Sequence, residues 1–467
     1  MTSITRNRTL GKLLLNGAPT TLRGGNYNLF LTPGAAEEAI VRQGTQDPII
    51  ATYRGVDPVQ DPANAAIPAA MATWAESGNT FPEIFTALQA NRCNLVRLFL
   101  TGGSIAGRTL LPFNSTVVDG RVKYDVRGAV LGGRWNEAFF TRLRAFVAAA
   151  DAAGVVVQLS LFNYFDLTND DAGPLKRWSQ TPWRAANSLD AAWGGTHLVP
   201  ELAEGDRHRF FITPAAGNGL RAVQQELIGR IIKALAGLDN VILEVMNEPH
   251  GTQDINRVAE FDAHMTGLIA RYRGALGSRA LISINASYRA LQGPSDVDVW
   301  KTSGLPNYGE VDLVSYHGLT GFPTVPVTAA DGSTVHAPRV DAASIAERAR
   351  LHFAAHPGKP ILYSTDAVRI EKFEHRYNGG QLRMQVRDGQ IIRLPGLNQD
   401  PEPRSELLHT RVLHWASRCF ALARERPGQV HFHNHSTFRQ ALVQIGQAAA
   451  TFPVAGVAAA EPAEATV

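Results

Sequence analysis

Short runs of apolar, β-prone residues recur along the chain, and most are followed by a stretch whose apolar positions have helical spacing. The runs fall at 22–26, 94–100, 155–161, 241–246, 281–285, 311–316, 361–364 and 430–432. Helical periodicity covers 135–153, 220–238, 258–276, 342–355 and 406–424, with Gly154 closing the first. This β-then-α rhythm predicts a parallel sheet with helical crossovers. Eight units favour closure into a (β/α)8 barrel, the TIM-type α/β fold, over an open doubly wound sheet, because a closed barrel has no exposed edge. Ahead of the first run, 12–15 and 20–22 predict a β-hairpin around Asn16-Gly17, a pair that tolerates positive φ at both central positions of a type I′ turn.

Three connections are long: 32–82, 163–219 and 367–403. Each follows a predicted strand, so each belongs at the C-terminal mouth of the barrel, where this fold builds its sites. The third contains a further hairpin signal, 381–386 and 390–394 joined through Arg387-Asp388-Gly389. Residues 1–447 are therefore expected to form one elaborated barrel. After a last helix at 437–447, the tail 448–467 carries no core-forming pattern and is expected to be loosely ordered.

Composition narrows the class. Of 467 residues, 45% are hydrophobic and 19% charged, as in an ordinary globular enzyme. The 45 Lys and Arg against 42 Asp and Glu leave +3 without long runs of one sign, which argues against nucleic acid as a partner. No apolar stretch reaches the roughly 18 residues of a membrane span, so no membrane partner is expected. Residues 1–8 lack the apolar run of a secretory signal. A cytoplasmic protein is expected, or a secreted one where a signal has been removed. Cys93 and Cys419 sit in apolar-periodic stretches and predict buried thiols, not a disulfide framework. Oligomeric state is not encoded in any of these features.

The sharpest local signal is Val241-Ile242-Leu243-Glu244-Val245-Met246-Asn247-Glu248-Pro249. An apolar strand delivers an amide and a carboxylate where it ends, and a proline stops the ladder. Glu248 is thereby placed as an acid/base for glycosidic cleavage, which needs a carboxylic acid beside the departing oxygen. Asn247, at the same rim, is placed to donate to the hydroxyl beside the reacting carbon. Arg97 lies late in an apolar strand, where an unpaired guanidinium is costly, and must meet a carboxylate either for structure or for the site. Trp178, Trp183 and Trp193 in the second insert are either loop anchors or faces for flat sugars. His431, His433 and His435 share one side of the last strand; their spacing of roughly 6 to 7 Å is too wide for one ion, so neither metal nor cofactor is expected.

Taken together, these motifs resemble the clan A glycoside hydrolases, in particular family 5, the cellulase- and mannanase-like enzymes. Asn16-Gly17 with Leu22-Arg23-Gly24-Gly25-Asn26-Tyr27 is similar to that family's opening hairpin and first strand. Asn94-Leu95-Val96-Arg97-Leu98 is similar to its second, whose arginine supports the nucleophile, and Asn247-Glu248-Pro249 to its fourth-strand motif. Ser315-Tyr316-His317 resembles the sixth-strand segment that supplies a histidine or tyrosine near the reacting centre. The resemblance implies a retaining β-glycosidase of oligo- or polysaccharides, with its nucleophile closing the seventh strand. Lys359-Pro360-Ile361-Leu362-Tyr363-Ser364-Thr365-Asp366 offers Asp366 there, one residue later than the family's glutamate and one methylene shorter. Arg97 is then the natural partner of Asp366, and Glu371 and Glu374 are fallback nucleophiles. Asn163-Tyr164 stands where the family often has a histidine, and the last strand lacks its usual sugar-stacking tryptophan.

Two other functions compete with a glycosidase. A barrel that binds carbohydrate without turnover would fit the departure at Asp366. A metal-dependent hydrolase would need the last-strand histidines as ligands.

Overall fold

The computed structural model describes residues 1–26, 82–100, 111–119, 121–167, 178, 181–211, 219–249, 255–286, 306–316, 324–328, 334–338, 342–364, 373–377, 380–387, 390–393 and 421–434. The chain enters through a small antiparallel sheet of β1 (Ile4–Asn7), β2 (Lys12–Leu15) and β3 (Ala18–Pro19). Between β2 and β3, Asn16 and Gly17 have φ of 50° and 84°, the double positive φ of the expected turn. Strand β1 is not visible as a sequence pattern, because Ile4-Thr5-Arg6-Asn7 has one apolar residue; its register places Ile4 opposite Leu15.

The strands then run in chain order as β4 (Arg23–Asn26) and β5 (Leu95–Phe99), a hairpin of β6 (Ser115–Val118) and β7 (Arg121–Tyr124), then β8 (Val156–Asn163), β9 (Val241–Asn247), β10 (Leu281–Asn285) and β11 (Leu313–Tyr316). A second hairpin of β12 (Thr324–Thr328) and β13 (Thr334–Pro338) precedes β14 (Ile361–Ser364). A three-stranded antiparallel sheet of β15 (Phe373–Tyr377), β16 (Gly380–Arg387) and β17 (Gln390–Arg393) precedes β18 (Val430–Asn434). Strands β4, β5, β8, β9, β10, β11, β14 and β18 pair in parallel and close into an eight-stranded barrel, with β18 returning to β4. Helices follow the strands: α1 (Pro82–Ala90), α2 (Glu137–Ala152), α3 (Ala191–His197), α4 (Glu204–Phe211), α5 (Leu220–Ala234), α6 (Ile255–Ala275) and α7 (Ala342–Ala355). The fold is a (β/α)8 barrel.

Strand alternation divides the core in two. Leu22, Leu95, Val156, Ile242, Leu281, Leu313 and Leu362 pack together inside the barrel, and Ile4 and Leu13 of the entry sheet join them as a plug. The larger cluster lies between strands and helices and takes in the buried faces of α2, α5 and α6. Arg6 ties the plug to the barrel base, donating to the carbonyls of Val311 at 2.8 Å and Gly358 at 2.6 Å. At Gly24 a Cβ would lie 1.7 Å from the Leu95 carbonyl, so the close approach of β4 to β5 requires glycine. Cys93 is buried as expected, and burial pushes its thiol up to about 12. The hairpin expected in the third insert is β16 and β17, with Arg387 opposite Gln390. The first insert, Cys419, the helix at 437–447 and the tail lie outside the described residues, and of 406–424 only the last residues are described.

The connection after β5 forms a wall with the insert after β8. The backbone N–H of Leu189 donates to the Tyr124 carbonyl at 2.9 Å, and Arg127 pairs with Asp190 at 2.7 Å. Asp125, 1% exposed, organises the loop that follows β7. Its carboxylate accepts four backbone N–H groups, those of Gly128, Ala129, Val130 and Leu131, at 2.6 to 3.0 Å.

Candidate active site

Strand β9 brings the predicted acid/base to the mouth. Glu248 follows it directly, is 8% exposed, and has φ of 42°, a left-handed conformation that a side chain with Cβ rarely adopts. Strain of this kind persists where the surroundings over-determine it, and it clusters at functional positions.

Those surroundings can be built from the alternation of β8 and β9. Ser160 pairs in register with Glu244, and Asn163 with Asn247. Between these partners, Leu161-Phe162 and Val245-Met246 all belong to the cluster outside the barrel. Both strands therefore break the period of two at the same level, and Asn163 and Asn247 come to lie side by side near the arginine of β5.

Arg97 is fully buried and its Nε donates to Glu244 Oε2 at 3.0 Å, while its Nη2 bonds the same oxygen. Nη2 also donates to Asn247 Oδ1 at 2.7 Å, and Asn247 Nδ2 donates to Asn163 Oδ1 at 2.9 Å. The guanidinium lies over the Phe99 ring at 4.6 Å. Asn285 Nδ2 reaches Glu244 Oε1 at 3.5 Å from the next strand. Beneath this network, Gln158 donates to Ser315 at 3.3 Å, and Ser315 meets Ser283 at 3.0 Å. On the helix side of β9, Asp262 of α6 is 1% exposed. Burial, with a smaller contribution from the charge of Glu244, holds its carboxyl well above the usual carboxylate range.

Several sequence expectations change here. Among the described residues Arg97 meets the carboxylate of Glu244; Asp366, its expected partner, lies outside them. Glu244 carries no assigned role in the sequence reading. The signal for it is an acidic residue at the centre of an apolar strand, on the same face as Ile242 and in need of an inward cation. Tyr316 does not face the mouth. Ser315 takes the inward position, so Tyr316 turns outward, stacks on His352 of α7 at 3.9 Å and meets His356 Nε2 at 2.7 Å. His317 and Glu371 lie outside the described residues, and Glu374 is placed only by its register opposite Arg383.

Trp183 is a packing residue, not a sugar face. It is fully buried among Phe113 at 5.4 Å, Phe210 at 5.5 Å and Phe162 at 6.0 Å. Trp178 is buried beneath Arg184, and Trp193 packs on His197. Trp183 and Phe210 fix the second insert to Phe162 of β8, and Phe211 fixes it to Phe261 of α6, because large rings bury much apolar area in a single contact.

His431 and His433 are fully buried, in register with inward Leu362 and with Ser364. Burial pushes the His431 imidazole down to about 3, and its Nδ1 accepts the Leu22 N–H at 3.0 Å. The ring is thus neutral, with its proton on Nε2. Among the described residues no group of three or more His, Cys, Asp or Glu is arranged to hold a metal ion. His435 lies outside them.

No family model matches the sequence, and no curated protein matches it. Among solved structures the chain is similar to an endo-1,4-beta-mannanase from Rhizomucor miehei, at 10% identity over 93% of this chain and 90% of that one, with a TM-score of 0.43. It is similar to a glycoside hydrolase family 5 mannosidase from the same organism, at 10% identity over 92% and 85%, with a TM-score of 0.48. It is also similar to a broad specificity endoglucanase from an uncultured bacterium, at 14% identity over 96% of each chain, with a TM-score of 0.45.

Proposed function

We propose that this protein is a β-glycosidase acting on an oligo- or polysaccharide, with Glu248 as its acid/base. One observation carries the reading: a buried carboxylic acid in a strained conformation closes a barrel strand, directly after an asparagine whose amide is held by an arginine. The C-terminal ends of barrel strands are where this fold places catalytic groups.

In the reaction, Glu248 gives its proton to the glycosidic oxygen as the bond from that oxygen to the anomeric carbon breaks. Asp366, at the end of the segment after β14, is assigned to the opposite face of the sugar. There its carboxylate bonds the anomeric carbon and retains the configuration overall once water has released the glycosyl group. Glu248 then acts as base and takes a proton from that water. Asn247 has one Nδ2 hydrogen on Asn163, which leaves its second to meet the hydroxyl beside the reacting carbon. Arg97 keeps the amide oxygen turned away from that hydroxyl.

The test is turnover of a panel of aryl β-glycosides and β-linked polysaccharides by the full chain and two variants. Glu248→Gln and Asp366→Asn are each expected to lose about 1000-fold in kcat/KM, the scale of removing an acid/base or covalent group. A Glu248→Gln enzyme within threefold of the parent would refute the assignment. Saturable glycan binding without turnover in the parent would replace it with a carbohydrate-binding barrel.

A further inference from the structure

Asn163 occupies the end of β8, and its side chain is 5% exposed. Its contact with Asn247 has a direction that can be derived from the donor inventory. Glu244 accepts and cannot donate as a carboxylate; Arg97 donates and cannot accept. The amide atom of Asn247 that faces Arg97 must therefore be Oδ1, which turns Nδ2 toward Asn163. Asn163 must then present its own Oδ1, as it does at 2.9 Å. A polarity set by the buried ion pair is thus passed through two amides on neighbouring strands, and the second amide is the one that completes it.

We propose that Asn163 is a positioning residue, which fixes the Asn247 amide so that its remaining N–H meets the substrate as a donor. The role rests on the glycosidase reading for its substrate and on the geometry alone for its action on Asn247. Without Asn163, Arg97 still holds Oδ1, but by one contact to an amide free to swing about it. The register that pairs Asn163 with Asn247 also sits one residue from the left-handed turn at Glu248, so the same contact helps set where β9 ends. Two other features point the same way. Both strands lose their alternation at the same level, which is what brings the two amides together on one face. Asn247 is itself buried, at 2% exposure, so solvent is a poor substitute for the lost acceptor.

The experiment compares Asn163→Ala and Asn163→Asp, the latter keeping an oxygen acceptor. Side-chain amide signals of Asn247, assigned by their loss in Asn247→Asp, are followed by 15N NMR in the full chain. Asn163→Ala is expected to shift both protons of the pair and to speed their exchange with solvent by about tenfold, as one buried hydrogen bond implies, while Asn163→Asp keeps them slow. On an aryl glycoside, Asn163→Ala is expected to lose about tenfold in kcat/KM. It should lose less than threefold on the 2-deoxy analogue, and nothing further when added to Asn247→Ala. Unmoved Asn247 signals in Asn163→Ala overturn the proposal whatever the parent hydrolyses. Equal losses on both glycosides, or multiplying losses in the double variant, overturn it too. A parent without turnover on any glycoside defeats the proposed function instead, and the NMR result still decides whether Asn163 holds the amide.

Discussion

Replacing Glu244 by alanine removes the acceptor for two donors of Arg97 while leaving the guanidinium inside the barrel. Both side chains of the pair are 0% exposed. The Nε and Nη2 contacts converge on one carboxylate oxygen, and among the described residues the side-chain acceptor left to the cation is Asn247 Oδ1. Breaking a buried pair from one side costs about 3 to 5 kcal/mol, because the remaining charge is uncompensated in a medium that solvates it poorly. Urea unfolding should therefore place Glu244→Ala about 3 to 5 kcal/mol below the parent. The decisive comparison is the double variant Arg97→Met with Glu244→Leu. It removes both charges and refills the space with apolar atoms of similar volume, so most of the lost stability should return, to within about 1 to 2 kcal/mol of the parent. The proposed glycosidase activity should not return, since Asn163 and Asn247 can then flip together and nothing sets which amide atom Asn247 turns to the mouth. A Glu244→Ala protein within about 1 kcal/mol of the parent would show that the charge is solvated or paired otherwise, and would refute the reasoning. A double variant as unstable as Glu244→Ala would show that shape, not charge, sets the cost.

Trp183→Ala should cost about 3 to 5 kcal/mol in urea unfolding, and Trp183→Phe clearly less, with KM unchanged in the phenylalanine variant; a rise in KM alone would return Trp183 to the substrate. Asp125→Ala should speed hydrogen exchange at Gly128, Ala129, Val130 and Leu131 together, since one carboxylate serves all four amides; exchange confined to one of them would refute the shared anchor. Lys359 is buried, and burial pushes its ammonium down to about 7 from an ordinary 10.5. The unfolded chain then holds the extra proton between those values, so this group adds stability as pH rises from about 7 to 10.5 and withdraws it as pH falls. Thermal unfolding of Lys359→Met against the parent should show that slope shrink, and an unchanged slope would count against it.

How much of the molecule is legible in the sequence depends on whether a residue is governed by its own strand or by a neighbour's. Barrel strands such as Val241–Asn247 are visible because they bury both faces and read as apolar runs bounded by polar residues, whereas β4, Arg23-Gly24-Gly25-Asn26, has no such run of its own. The turn at Asn16-Gly17 is visible because two positive φ angles leave few other residues possible. Strand β1 escapes notice because its partner residues, not its own pattern, make it a strand. The same distinction divides the site. Glu248 is announced by the strand end and proline beside it. The partner of Arg97 is not, since Glu244 lies on a strand far away in sequence and its pairing is set by barrel register. Tyr316 is lost to a shift of one residue: Ser315 takes the inward place, and the ring turns to His352 and His356.

The buried pair under the site has a physical justification that stability alone does not supply. An apolar pair at Arg97 and Glu244 would be as stable or more so, by the argument for the double variant. A neutral amide pair in their place would fit the space, yet an amide presents a donor and an acceptor at nearly the same distance, and so leaves the flip of Asn247 open. Lysine in place of Arg97 would offer a point charge without the fork that spans Glu244 and Asn247 together. Only a donor-only group held by an acceptor-only group gives Asn247 a single orientation, and Asn163 carries that orientation to the next strand. The chain thus keeps a costly ion pair where hydrocarbon would suffice for folding, at the level of the barrel where it sets the direction of the one N–H proposed to meet the substrate.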